Sequence, residues 1–205
     1  MTTFVLASAS PARRAVLRAA GIDPTVQVST VDEEVLTAQL GVRAPEDLVV
    51  DLARAKALDV AAGWGDAVVV GCDSMLHIAG ELVGKPHTAA VAQRRWATMS
   101  ANSGDLLTGH CVLRVLGGQV RAQAAGTVST TVRFSSPTPA ELAAYLATGE
   151  PLEVAGAFTL DGLGGWFVDG IDGDPSSVVG ISLPLVRRLL SEVGVSVVDL
   201  WTPAS

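Results

Sequence analysis

Apolar and polar positions along this chain fall into short segments whose spacing predicts strands and helices in turn. Residues 4–7, Phe-Val-Leu-Ala, form an unbroken apolar run of strand length. Ser10-Pro11 then reads as a helix start, with Ser10 as N-cap, Pro11 at the first helical position and Gly21 as the stop. A second strand is expected over 25–31, ending in the acidic run Asp32-Glu33-Glu34. Pro45 opens a helix over 46–62 that Gly63 ends. Residues 66–71, Asp-Ala-Val-Val-Val-Gly, carry the strongest strand pattern, with Cys72-Asp73-Ser74 at its end. Residues 75–83 read as an irregular hairpin turning at Ala79-Gly80, and 88–100 as a helix. Strands over 107–116 and 119–134 are joined at Gly117-Gly118. A helix over 139–147 ends at Gly149, the Gly-rich 162–174 predicts a tight hairpin, and a helix over 183–193 precedes a last strand over 195–200. No repeat and no linker divides the chain, so a single domain is expected.

Composition narrows the class. Of 205 residues 49% are hydrophobic and only 17% charged, so burial offsets chain entropy and a compact α/β core is expected. The net charge of −7 argues against a general nucleic-acid binder, although it leaves room for a local basic pocket. Cys72 and Cys111 make no disulfide framework, and with the scattered His77, His87 and His110 they lack the spacing of a zinc site. No uncharged apolar run approaches a membrane span, and the first arginines follow rather than precede the initial apolar stretch, unlike a secretory signal. A cytoplasmic protein without a membrane partner is the expectation.

Four places carry residue types suited to phosphate chemistry. In Ser8-Ala9-Ser10-Pro11-Ala12-Arg13-Arg14, two arginines occupy the first turn of a helix, where the dipole disfavours them by some tenths of a kcal/mol each. A bound anion reverses that penalty, because the helix N-terminus, Ser8, Ser10, Arg13 and Arg14 all offer donors; the alternative is an ordinary solvated helix. Lys56 stands in the row Leu52, Lys56, Val60, so it either snorkels from the core edge or points at a ligand. Asp73, just past a Val-rich strand, is placed to hold a metal, to activate water, or merely to cap a turn. Gly84-Lys85-Pro86 joins a close-approach glycine to a compact charge, but the chain contains no Walker loop, and Gly63-Trp64-Gly65 is not a dinucleotide fingerprint. The Asp residues of 162–174 lack the spacing of an EF-hand.

Taken in order, these pieces resemble the Maf family of nucleoside triphosphate pyrophosphatases. The likeness runs through Leu6-Ala7-Ser8-Ala9-Ser10-Pro11, Asp32-Glu33, Ala55-Lys56-Ala57, Val70-Gly71-Cys72-Asp73-Ser74-Met75 and Gly84-Lys85-Pro86. It closes with Ala155-Gly156-Ala157-Phe158 and Ile171-Asp172-Gly173-Asp174 leading into Val178-Val179-Gly180-Ile181-Ser182-Leu183-Pro184. The resemblance implies an elongated α/β fold, with a mixed, twisted sheet flanked by helices and a cleft between two lobes. It also implies hydrolysis of a nucleoside triphosphate to the monophosphate and pyrophosphate with a divalent cation, Mg²⁺ or Mn²⁺. Asp73 is then the general base, and Lys56 and Lys85 complete the catalytic set and hold the triphosphate. Ser8, Ser10, Arg13, Arg14 and Ser74 hold the substrate, Asp161 lies near its nucleobase, and Glu33 with Asp73 places the metal. A homodimer, removal of surplus or non-standard nucleotides, and a link to cell division are further implications. The chain departs from the pattern at Ala12, Asn102 and Gly104, where Arg, Arg and His are usual, and at Val154, Phe158 and Asp161. Those losses motivate a second expectation, a nucleotide-sensing module that binds without hydrolysis.

Overall fold

The computed structural model describes residues 2–202 and contains, among them, seven strands and seven α-helices in a mixed α/β arrangement. The strands are β1 (Phe4–Leu6), β2 (Thr25–Val26), β3 (Ala67–Ile78), β4 (Glu81–Val83), β5 (Ser103–Leu116), β6 (Gln119–Phe134) and β7 (Val168–Asp172). They form one mixed, twisted sheet, not closed into a barrel, in the order β2-β1-β3-β5-β6-β7, with β4 on β3. β1 is parallel to β2 and β3, whereas β4 runs antiparallel to β3 and β7 antiparallel to β6. The helices are α1 (Pro11–Ala19), α2 (Glu33–Leu40), α3 (Pro45–Ala61), α4 (Ala89–Met99), α5 (Pro139–Ala147), α6 (Pro175–Val179) and α7 (Leu183–Glu192).

The chain divides into two compact units. The first takes the chain up to Asp73, Thr108–Val128 and the residues from Gly180 onward; the second takes Ser74–Leu107 and Ser129–Val179. In the first unit both faces of the sheet are buried, as the continuous apolar runs require. Phe4, Leu6, Val68, Val70 and Cys72 face a core completed by Leu17 of α1 and Leu185, Val186 and Leu189 of α7. Val5, Ala7, Val69, Cys111 and Leu113 face the other way, onto Ala53, Ala57 and Val60 of α3. The second unit is built around Trp96, whose ring meets Phe134, Tyr145 and Phe167 edge-on at centroid distances of 5.8, 6.2 and 5.9 Å. Its indole N–H donates to the Ala157 carbonyl at 2.9 Å, so the polar tip of a fully buried side chain is satisfied.

Helix ends follow their local chemistry. Ser10 caps α1, and α1 closes in a Schellman turn in which Gly21 takes φ +85° and Ile22 N–H donates to Leu17 O at 2.9 Å. Thr138 and Glu141 form a reciprocal capping box at α5.

Four expectations are corrected. β2 is two residues long, and Asp32-Glu33-Glu34 does not end a strand but opens α2, with the Asp32 carboxylate accepting from Val35 N–H at 3.0 Å. β3 does not stop at Gly71 but continues to Ile78, and its last three residues pair with β4 across a two-residue turn in which Ala79 and Gly80 both take positive φ, the geometry that suits hairpin twist. Asp73 is therefore inside a strand. Residues 162–174 form a 3₁₀ turn at Leu163–Phe167 followed by β7, whose partner is β6 and not a neighbouring arm of the same segment. The tail holds a 3₁₀ turn at Val197–Leu200 instead of a strand, and Val195 and Leu200 pack into the core of the first unit.

Candidate active site

Two glycines bring α3 onto the sheet. A Cβ on Gly71 of β3 would lie 2.1 Å from Ala53 O, and one on Gly109 of β5 would lie 2.2 Å from Val49 O. With no side chain at either place, the α3 backbone rests directly on the strands. Side chains two apart on a strand share a face, so Asp73 points to the same side as Gly71, toward α3. Lys56, on the buried face of α3, meets it there: Lys56 Nζ lies 2.7 Å from Asp73 Oδ1 and 2.6 Å from Glu33 Oε1. Lys56 and Asp73 are both buried, at 8% and 4% exposure, while the Glu33 side chain at the start of α2 is 48% exposed. The second oxygen of Asp73, Oδ2, is buried and has no hydrogen-bond partner among the described residues. Burial pushes the Asp73 carboxyl above its ordinary range; Lys56 opposes this and the neighbouring Glu33 charge adds to it.

Beside this set, β1 leads into α1 through Ser8-Ala9-Ser10. The Ser8 oxygen accepts from Ser10 N–H at 3.2 Å and from Arg13 Nη1 at 2.9 Å. Arg13 also donates from Nη1 to the Cys72 carbonyl at 2.9 Å and from Nε to the Gly180 carbonyl at 2.8 Å. Gly180 takes φ +133°, a conformation that favours glycine, and a Cβ there would fall 3.1 Å from Arg13 Cγ, so the arginine stem packs closely on this residue. Arg14, one residue on, is exposed. Gly180, Cys72 and His110 are parts of this site that the sequence did not single out for chemistry. The buried His110 ring accepts Ser182 N–H at Nε2, 2.9 Å away, and faces Thr108 O with Nδ1 at 3.1 Å. Since a carbonyl only accepts and an N–H only donates, the ring is fixed with its proton on Nδ1. No spacing rule signals such roles, because each rests on a backbone group from a distant part of the chain.

Ser74, Lys85 and Asp161 belong to the second unit. Ser74 is partly buried on β3, and Asp161 is exposed on the loop before the Leu163–Phe167 turn. Lys85 is exposed and lies 4.0 Å from the Glu153 carboxylate; its segment is held by the Gly84 carbonyl, which accepts from Gly156 N–H and from Arg95. The loop carrying Asp161 is gripped by Glu150, whose carboxylate accepts from Thr159 Oγ1 and from the backbone N–H of Leu163 and Gly164. Gly104 is tightly packed: a Cβ there would sit 3.0 Å from Leu76 Cδ1 and 3.1 Å from His77 O.

Among the described residues no three or more His, Cys, Asp or Glu side chains form a metal-binding group. Glu33 and Asp73 nevertheless converge on one ammonium, and Asp73 Oδ2 has no protein donor. Two carboxylates completed by substrate phosphate oxygens are a donor set that suits Mg²⁺ or Mn²⁺. The residues present therefore fit such an ion when a polyphosphate accompanies it.

A mixed α/β fold, with a buried lysine between two carboxylates beside a serine- and arginine-bearing helix start, has the make-up of a phosphate-handling protein. The chain belongs to the Maf family, whose model, described as Maf-like protein, matches residues 3–193. It is 65% identical to the nucleoside triphosphate pyrophosphatase of Nocardia farcinica, covering 98% of this chain and 97% of that one. It is 63% identical to the protein of the same name from Rhodococcus opacus, at 98% and 97% coverage, and 55% identical to that of Mycolicibacterium gilvum, at 98% and 100%.

Proposed function

We propose that this chain is a nucleoside triphosphate pyrophosphatase, a hydrolase that converts a nucleoside triphosphate to the monophosphate and pyrophosphate. The names of its relatives support the reaction class. The observation that carries the mechanism is the split state of Asp73: Oδ1 is anchored by Lys56 and Oδ2 is left as an open acceptor in a buried place. A carboxylate held in that way has the make-up of a general base, and burial raises its affinity for the proton it must take. Water attacks the α-phosphorus as Asp73 accepts its proton, the bond from that phosphorus to the α–β bridging oxygen breaks, and pyrophosphate leaves. Lys56 holds Asp73 in register. Ser8, Ser10, Arg13 and Arg14 contribute to holding the phosphates, and family likeness extends the reading to Lys85 and Ser74 as phosphate contacts and Asp161 as a contact to the nucleoside. Glu33 and Asp73 would hold Mg²⁺ or Mn²⁺, which when bound neutralises charge on the triphosphate. Positioning and charge neutralisation account for most of phosphoryl-type catalysis, so a small set of side chains suffices.

The test is pyrophosphate release from a panel of standard and modified nucleoside triphosphates, with wild type beside Asp73→Asn. Metal-dependent release that falls at least about a hundredfold in the variant, with nucleotide binding retained, is the expected result. Near-wild-type turnover in Asp73→Asn would overturn the base assignment. Nucleotide binding by a folded wild type that releases no pyrophosphate would replace the enzyme reading with the sensing one.

A further inference from the structure

Arg13 enters the phosphate-holding group by its place in the sequence, but its hydrogen bonds assign it a different part. Its Nε–H and both Nη1–H donors go to protein oxygens: the Gly180 carbonyl, the Ser8 hydroxyl and the Cys72 carbonyl. These three come from separate stretches of chain, the loop before α1, the middle of β3 and the loop before α7. The stem also packs closely on Gly180, where a Cβ would fall 3.1 Å from Arg13 Cγ. Gly180 is in turn followed by Ser182, whose backbone N–H is held by the buried His110.

The consequence falls on Ser8. A hydroxyl has one proton and two lone pairs, and both lone pairs are already engaged, by Ser10 N–H and by Arg13 Nη1. The Ser8 proton is left to be donated, and an oxygen that accepts from a guanidinium is a stronger donor in its turn. The Cys72 carbonyl that Arg13 also grips belongs to the residue directly before Asp73. Resting on the pyrophosphatase reading above, we propose that Arg13 is a positioning residue: it turns Ser8 into an outward hydrogen-bond donor for a phosphate oxygen and fixes the backbone beside the base. The neighbouring exposed Arg14 is the arginine that meets the anion itself.

A double-mutant cycle separates the two roles. Ser8→Ala, Arg13→Gln, Arg14→Gln and the pairs Ser8→Ala/Arg13→Gln and Ser8→Ala/Arg14→Gln are compared for kcat and KM, and for affinity toward inorganic triphosphate. Arg13→Gln alone is expected to lose about tenfold to a hundredfold in triphosphate affinity and in kcat/KM; once Ser8 is already Ala its loss in triphosphate affinity falls below about threefold, and what remains is a loss in kcat from the freed Cys72 carbonyl beside Asp73. Arg14→Gln is expected to lose the same factor in both backgrounds, with the loss in KM. Gly180→Ala, which leaves the Arg13 charge in place but displaces its stem, is expected to reproduce Arg13→Gln. Arg13→Lys, which keeps a charge but not the fork, is expected not to rescue. Equal losses of triphosphate affinity for Arg13→Gln in the two backgrounds, or rescue of that affinity by Lys, would mean direct phosphate contact and overturn the proposal. Should the wild type bind triphosphate without releasing pyrophosphate from nucleotides, the pyrophosphatase reading fails and the binding cycle still decides Arg13. A folded wild type that binds no triphosphate overturns both.

Discussion

Asp73 sits where its charge is costly, and its pairing with Lys56 reduces that cost without removing it. Because burial raises its folded-state affinity for a proton, the folded chain holds that proton more tightly than the unfolded chain does. Stability contributed at this residue is therefore full below the unfolded carboxyl value of about 4 and is lost as pH rises through the raised folded value. In the metal-free protein, Asp73→Asn is expected to flatten the decline of the unfolding midpoint from pH 4 upward, measured by calorimetry across a pH series. Parallel curves for the two proteins would show that Asp73 is not the group responsible. Glu150 is the opposite case. Burial pushes it up, but bonds from Thr159, Leu163 and Gly164 outweigh that and hold it below its usual range, so its contribution is present above the unfolded value and lost as pH falls. Glu150→Gln is expected to make the chain less sensitive to acid while lowering its stability at neutral pH by about 1 to 3 kcal/mol, read from urea unfolding at both pH values. Residue chemistry of this kind was partly legible in the sequence. The helical row that places Lys56 among Leu52 and Val60 was visible, but that row fits a snorkelling lysine equally well. Only the approach of α3 to β3 decides that Lys56 lies between two acids.

At the scale of elements, strong patterns and strong caps were the legible ones. The Ser-Pro start of α1, the Gly149 stop after α5 and the Gly117-Gly118 turn between β5 and β6 are local devices, and local devices appear in sequence. α2 was hidden because none of its residues is buried, so no apolar period marks it; what starts it is the Asp32 cap in a run that reads as mere acidity. The full length of β3 was hidden because Asp73 and Ser74 interrupt the apolar pattern while the backbone pairing does not notice them. Two predictions belong here. Thr138→Ala should cost about 1 kcal/mol in urea unfolding with turnover per folded molecule unchanged, since only an exposed helix start is weakened. Gly71→Ala should cost about 1 to 3 kcal/mol and also reduce turnover, because the added methyl pushes α3, and with it Lys56, away from Asp73.

For the whole molecule, the amphipathic and buried runs indicated an α/β chain, and the mixed sheet agrees. What periodicity did not contain was the sheet order, in which β1 lies between β2 and β3 and β7 returns to β6. Those pairings join segments far apart in sequence, and no local signal encodes them. β3, β5 and β6 each contribute residues to both compact units. Trp96→Ala, which empties the aromatic centre of the second unit, is thus expected to lower the unfolding transition of the entire chain by about 3 to 5 kcal/mol as a single step, followed together by fluorescence and circular dichroism. Two separated transitions would show that the units melt independently.

The two buried thiols make the protein its own clock. Cys72 packs on one face of the sheet and Cys111 on the other; both are fully enclosed, and burial pushes them up to about 11 and about 12 respectively. A maleimide added to the closed chain therefore finds no thiolate to attack, and each sulfur is labelled only at the rate at which its own layer opens. Because Cys72 immediately precedes Asp73, its labelling rate times the breathing of the strand that carries the reactive carboxylate, with Cys111 as the internal reference for the opposite layer.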